Sequence, residues 1–358
     1  MPWRYSVPDL VLQVNGRNYA GWKEARVKRS VRAASGIFSL VMSDRFADLN
    51  QLKRLGPDDE CLLLYGDEVM INGYVDDAAP RFDAQGRGMS ISGRDLTRNI
   101  VDCSAIVPSQ TLIDLKLDEA CRQLCAPYGV EVVALADVGE AFAEIAIDTG
   151  ETVFEVIEAR VRQRGLLLNA DALGRLVLST PSKTRLPVAL VEGQNLKLGS
   201  ALKSSKQRFG KYSVYSQAPS TDNVFGDAAQ SLIGVAKDSG ADSRRHKIIV
   251  SEKVASAQDC VTRARWERNM AIAQSLRVSG ATHDWGFEHN GSFKIWRENR
   301  QVKVESAGLD VNETMFIESI EYSLDEDSGK QCAMDLVRPW VFTAQPEVEE
   351  VEGSLSWT

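Results

Sequence analysis

The strongest constraint on this chain is the period-two alternation of its short apolar runs. In GIFSLVMSD, residues 36–44, Phe38, Leu40 and Met42 alternate with Ser39, Val41 and Ser43. Such a period places successive side chains on opposite faces of a strand, so the run predicts a strand with one better-buried face. EVMINGYVDD, residues 68–77, repeats the pattern with Val69, Ile71 and Val75 on one side. Gly73 inside it predicts a bulge, a bend or a close approach by another backbone. DECLLLYGDEVMING predicts a hairpin turning at Gly66-Asp67. Several short strands at this spacing favour a small barrel or sandwich over residues 1–97.

The pattern then changes. SQTLIDLKLDEACRQLCAPYG carries Ile113, Leu117, Ala120, Cys121 and Leu124 at three- and four-residue spacing, which predicts one amphipathic helix closed by Pro127 and Gly129. VEVVAL follows as a strand. ETVFEVIEARVRQRG predicts a second helix with a Val153, Ile157, Val161 stripe, arginines toward its C-terminal end and Gly165 as its stop. LLLNADALGRLVLS reads as a hairpin around Asp171 to Gly174. Residues 98–183 are thus an α+β unit.

Strand signals return over 184–342. GKYSVYSQAPS and KIIVSE are strands, and the Gly-, Asp- and Ser-rich stretch between them, residues 218–243, reads as a long loop. SAQDCVTRARWERNMAIAQSLR is the longest predicted helix, with Trp266, Met270 and Ala273 on one stripe and Arg263, Glu267 and Arg268 on exposed faces. Loop and helix together form an inserted module at about 218–280. FKIWREN, QVKVES, TMFIESIEYSLD and KQCAMDLVRP are strands, the last two joined by a hairpin at DEDSGK. The acidic end, residues 343–358, predicts a flexible tail. INGYVDD…GMSISGRDL and FIESIEYSLDEDSGKQCAMDLVRP share a layout of strand, acids, polar turn and second strand, closing on Arg94 or Arg338. A true repeat would give two similar β-barrels flanking the α+β unit. The fold class is therefore α+β and β-rich.

At 358 residues and a formal net charge of -8, the chain has no basic footprint for duplex binding, and Arg244-Arg245-His246-Lys247 reads as a solvated face. No run of 18 apolar residues predicts a membrane span, and the N-terminus lacks the apolar core of a signal peptide. The six cysteines read as reduced thiols of a protein made in the cytosol.

The chemistry that these residues offer is thin. His283 and His289 lie six apart with no cysteine near, and Cys121 and Cys125 lack further zinc ligands. GRGMSISG is neither a nucleophile elbow nor a Walker loop, and DEDSGK lacks the glutamate of a calcium loop. No catalytic, cofactor or metal residues emerge. Gly93-Arg94-Asp95, at a strand-to-helix handover, reads as a phosphate cradle, an acid/base site or a structural corner.

GYVDD…GRDLTRNIVDCS, TLIDLKLDEACRQLCAPYGVEV and ETVFEVIEARVRQRGLLLNADALGRLVLS, continuing through RARWERNMAIAQSL to DLVRPWVF, resemble the baseplate hub proteins of contractile-tailed phages, those of Mu-like phages above all. The resemblance implies a homotrimer that joins a sixfold tail tube protein to a threefold central spike protein. It also implies contacts with other baseplate proteins, no sequence-specific nucleic-acid binding, assembly in the host cytoplasm and a place in the virion tail. Under it Gly73, Asp76, Gly93, Arg94 and Asp95 are architectural. Gly93 would turn the chain out of its strand. Asp95 would cap a helix beginning at Leu96, and Arg94 would pair with Asp76 or Asp102. Alternatives are the hub of a tail-like bacteriocin or injection system, a secreted spike-type effector hub, and a baseplate-borne cell-wall hydrolase.

Overall fold

A computed structural model describes residues 9–43, 55–83, 86–216, 232–250 and 257–339. The expected tail at 343–358 and the first part of the expected loop at 218–243 lie outside them. The chain divides into two compact units, one from Met1–Lys203 and Leu276–Pro339, the other with Ser204–Ser275 as its described part.

The first unit opens with β1 (Leu10–Val14), β2 (Arg17–Tyr19), β3 (Glu24–Ser30), β4 (Ile37–Ser43), β5 (Glu60–Tyr65), β6 (Glu68–Asp83) and β7 (Gly86–Asp95). The alternation sets their burial: Phe38, Leu40 and Met42 on β4 are each at most 2% exposed. β5 and β6 turn at Gly66-Asp67, where Gly66 has φ +60°. Val69 and Ile71 do not share a face. The register slips between Leu63 and Leu64, leaving Met70 as the extra residue, and Met70 and Ile71 are both fully buried. A bulge flips the side-chain phase of everything beyond it.

The α+β part follows: α1 (Arg98–Asp102), β8 (Thr111–Leu115), α2 (Leu117–Cys125), β9 (Val132–Ala134), β10 (Phe142–Ala146), α3 (Val153–Arg164), β11 (Leu167–Ala170) and β12 (Leu176–Ser179). It has its own apolar core, including Leu117, Cys121, Leu124, Val153, Ile157, Val161 and Leu176. The helix expected from residue 109 starts only at Leu117. Thr111–Leu115 pairs instead with β10, and Ile113 is 69% exposed. Asp114 sits at φ +52°, outside helical geometry, and the Lys116 N–H donates to Glu119 at 3.0 Å to start the helix. α3 is closed at both ends. The Glu155 N–H donates to Thr152 Oγ1, the Thr152 N–H donates to Glu155, and Gly165 ends the helix at φ +65°.

β13 (Arg185–Val191) and β14 (Leu198–Lys203) begin the second β-rich half. Next in sequence is the second unit, with β15 (Lys211–Ser216), β16 (Leu232–Lys237), β17 (His246–Val250) and α4 (Ala257–Gln274). β16 falls in the stretch read as loop. It is a strand antiparallel to β15, while β17 runs parallel to β15. α4 packs on this small sheet through Cys260 and Ala264, against Val214 and Ala236. Arg263 and Glu267 are partly buried and form an ion pair at 2.7 Å, so they are less exposed than the helical pattern suggests.

β18 (Leu276–Thr282), β19 (Gly286–His289), β20 (Ser292–Ile295), β21 (Gln301–Ser306), β22 (Val311–Asp325) and β23 (Gly329–Val337) complete the first unit. The two β-rich halves repeat one plan. Spatial order β1-β5-β6-β7-β4-β3 matches β13-β21-β22-β23-β18-β14. Each long hairpin has one bulge residue, Asp76 or Glu318, followed by an equal run to its turn, Asp77–Asp83 or Ser319–Asp325. At the first rung after the bulge, Ser92 donates to Asp77 in one half and Ser319 to Asp335 in the other. One departure is that β13 is parallel to β21, whereas β1 is antiparallel to β5.

The fold is α+β and β-rich. Its halves are not two separately closed barrels among the described residues. β3 pairs with β22, merging both into one 13-stranded sheet with an open strand path. A strand edge accepts one partner, and β22 occupies the edge of β3. One core runs under both halves, from Leu12, Leu40 and Ile91 to Val304, Ile320 and Leu336.

Candidate functional site at the strand-to-helix corner

Gly73, Asp76, Gly93, Arg94 and Asp95 converge where β7 hands over to α1. Gly73 lies opposite Asp95, and Val75 opposite Gly93. A Cβ on Gly73 would stand 2.0 Å from the Arg94 carbonyl oxygen, and one on Gly93 would stand 2.2 Å from the Tyr74 oxygen and 2.6 Å from the Phe38 ring. Both glycines therefore permit close backbone approach. Gly93 is not the sharp turn expected of it; it stays in the ladder opposite Phe38.

The bulge at Asp76 aims its carboxylate at two arginines. Arg94 Nε donates to Asp76 at 2.7 Å, while Arg94 Nη2 and Nη1 grip Asp102 at 2.6 and 2.9 Å. Arg98 Nη1 binds the other Asp76 oxygen at 2.7 Å and its guanidinium lies 4.3 Å from the Tyr74 ring centroid. Arg94 thus ties the β6 bulge to the end of α1 by bidentate, charge-assisted bonds. The Arg94 guanidinium holds the Asp102 carboxyl below the usual range, and the paired carboxylates hold Arg94 above its own.

Asp95 is not the N-cap of a helix beginning at Leu96. The helix begins at Arg98, after Thr97, and Asp95 accepts the Thr97 N–H at 3.2 Å as well as contacting the Thr97 hydroxyl. It also accepts from the Gly36 N–H at 2.6 Å and the Ser35 hydroxyl at 2.8 Å. Asp95 is fully buried. Burial pushes its carboxyl up, against the pull of Thr97, Gly36, Arg29 and Ser35.

Arg29 is the residue that the sequence reading missed. It is 2% exposed on β3, donates to Glu298 at 2.7 Å and reaches the Ala170 carbonyl at 2.6 Å and that of Met70 at 3.3 Å. It thereby joins the first half, the α+β part and the second half. Burial pulls against both charges, but the pair outweighs it: Glu298 is held below and Arg29 above the ordinary value. The signal was present, because Ala25, Val27 and Arg29 share one face by period two, and the first two are fully buried.

Elsewhere the described residues hold little that could run a reaction. They contain no cluster of three or more potential metal ligands. All six cysteines are free, and burial pushes the Cys61 thiol up to about 12. His246 shares a 2.9 Å hydrogen bond with Ser213, and no bond from a carboxylate to its other nitrogen completes a triad among the described residues. A surface depression of about 430 Å³ is lined by short polar side chains such as Ser200, Ser279, Ser319 and Asp335. No described helix is long and apolar enough to cross a membrane.

The corner is a charged brace between sheet and helix in a duplicated β-rich frame, and comparison with known proteins places the chain among structural proteins of phage tails. The chain is similar to the 43 kDa tail protein of prophage MuSo2 from Shewanella oneidensis, at 33% identity over 93% of this chain and 99% of that one, with a TM-score of 0.79. The tail protein from Neisseria meningitidis MC58 shares the fold at 20% identity and a TM-score of 0.78, over 94% of this chain and 99% of that one. Baseplate hub protein gp44 of Escherichia phage Mu is 27% identical over 335 residues, covering 91% of this chain and 87% of gp44. Three family models match in succession. Residues 9–95 match the N-terminal domain of Mu phage baseplate assembly protein GpP-like, 97–180 the second domain of baseplate hub protein gp44-like, and 255–345 the fourth domain of Mu phage baseplate assembly protein GpP. The chain belongs to the baseplate hub proteins of contractile-tailed phages. Its relatives are structural baseplate and tail proteins, which places it in the virion tail.

Proposed function

We propose that this hub is a homotrimeric ring, a symmetry adaptor between a sixfold tail tube and a threefold central spike. The observation that carries the proposal is the internal repeat. A chain with two β-rich halves of one strand order offers six similar modules when three copies assemble. One face of such a ring can then meet a sixfold partner and the other a threefold one. The domain plan that goes with this is a first β module at 1–97, an α+β domain at 98–183, a second β module at 184–342 carrying the inserted unit, and a tail at 343–358 that meets the spike or another baseplate protein. The work is mechanical: the corner residues Gly73, Asp76, Gly93, Arg94 and Asp95 stiffen the frame rather than catalyse.

Class averages of the purified protein by electron microscopy test the proposal. The expected top view is a threefold ring of six near-equal lobes, and a particle without a ring would overturn it. Deleting residues 343–358 is expected to abolish co-purification with the spike protein, and unchanged co-purification would remove that role from the tail. A zymogram on peptidoglycan is expected to stay blank; a cleared band would restore the hydrolase reading.

A further inference from the structure

The small sheet of the second unit has one face covered and one open. Val214 on β15 and Ala236 on β16 point toward α4, where they pack with Cys260 and Ala264. The alternate residues point away from the helix. In register they form three rungs across β16, β15 and β17. These are Ile233, Tyr215 and Val250; then Val235, Ser213 and Ile248; then Lys237, Lys211 and His246. The outward face of a half-covered sheet is ordinarily polar. Here Ile233 is 49% exposed, Val235 40%, Ile248 61% and Val250 73%. Ser213, small and buried between Val235 and Ile248, leaves a hollow in the middle rung. The face is apolar over two rungs and basic at the third.

We infer that this face is the seat of the chain's own acidic segment, residues 343–358. Charge fits first. Ser204–Ser275 holds more lysine and arginine than acid, in a chain of net charge -8, while 343–358 carries Glu347, Glu349, Glu350 and Glu352 and no basic residue. Pattern fits next. Val351, Leu355 and Trp357 alternate with Glu352, Ser354 and Ser356, a period that gives an extended segment one apolar side. Leu355 and Trp357 are two residues apart, which is the step from one rung to the next. Order fits as well. With Leu355 and Trp357 over the two apolar rungs, the glutamates that precede them fall at and beyond Lys237, Lys211 and His246.

Connectivity brings the segment within reach. The chain enters the second unit after Lys203 and leaves it before Leu276, and these two residues are paired on β14 and β18. Val337 on β23 pairs with Arg277, the next residue along β18. The segment therefore starts beside both crossings. Extended chain covers about 3.3 Å per residue, so residues 340–358 span about 60 Å, twice the width of roughly 30 Å expected of a unit this size. A second copy of the same face fits less well, because it would bring another basic rung and no acid to meet the first. Seated this way, the segment shields an apolar face that would otherwise promote association. The seat does not depend on the number of copies in the hub.

Engineered disulfides in the full-length protein test the seat. The Leu355→Cys/Ile248→Cys double variant, mildly oxidised, is expected to form an intrachain link, identified by peptide mapping and lost on reduction. Leu355→Cys/Leu135→Cys, whose second site is exposed in the first unit, should link about tenfold less, since a tethered segment without a seat would sample both sites alike. Adding Lys211→Glu and Lys237→Glu to the first pair should lower its yield about tenfold and leave the melting temperature unchanged, because neither lysine is buried. Equal yields at Ile248 and Leu135, or a yield that the two glutamates do not move, would overturn the seat. Links found only between chains, when the two single variants are mixed, would overturn it too and assign the face to a contact between copies. Either failure leaves the ring and the spike contact to their own tests.

Discussion

At the scale of single residues, the account turns on groups whose environments leave no slack. A Cβ at Gly93 would press on the Tyr74 oxygen and the Phe38 ring, neither of which is a flexible chain end. Gly93→Ala should lower stability by about 1–3 kcal/mol, the usual cost of overpacking, seen as a lower denaturant midpoint. Arg29→Ala is expected to cost more, about 3–5 kcal/mol, because Glu298 would keep its charge in the interior without its partner. An Arg29→Ala protein that unfolds with the parent would show that the three parts do not depend on this brace. Asp102 gives the pH prediction. Its folded carboxyl titrates below the unfolded one, so the Arg94 pair stabilises above the ordinary carboxylate range and is lost as pH falls through the lower folded value. Asp102→Asn should therefore narrow the gap in melting temperature between about pH 7 and about pH 3. An unchanged gap would show that the pair contributes nothing at neutral pH.

At the scale of elements, the sequence was legible where one period ran unbroken and misleading where pairing overrode it. β4, α3 and the β22–β23 hairpin follow from spacing and caps alone. The helical spacing of Ile113 and Leu117 predicts a helix over Thr111–Leu115, yet β10 takes it as a strand partner. The glycine and polar residues around LIGVAK predict a loop at β16, and its partner β15 is what makes it a strand. The corner was half legible. Arg94 and its two candidate acids were visible, but the bulge that aims Asp76 depends on register, which a single strand does not carry. In the second unit, a Cβ on Gly234 would stand 2.0 Å from the Cys260 carbonyl carbon, so this glycine lets α4 close on β16. Gly234→Val should selectively destabilise Ser204–Ser275, read as faster amide exchange in α4 with β22 and β23 unaffected. Uniformly faster exchange in both units would show instead that they unfold as one.

For the whole molecule, the proposed role as a symmetry adaptor rests on the duplicated sheet, which would let a single chain serve partners of different symmetry. Similar modules repeat twice per chain in one strand order, with different side chains along corresponding strands. The measurement that bears most directly on this account is the mass of the purified hub by light scattering during size exclusion, over a concentration series and with the spike protein added. The account predicts a species at three times the 39.5 kDa chain mass, formed alone or on the spike. A monomer at every concentration, with the spike present as well as absent, would contradict it.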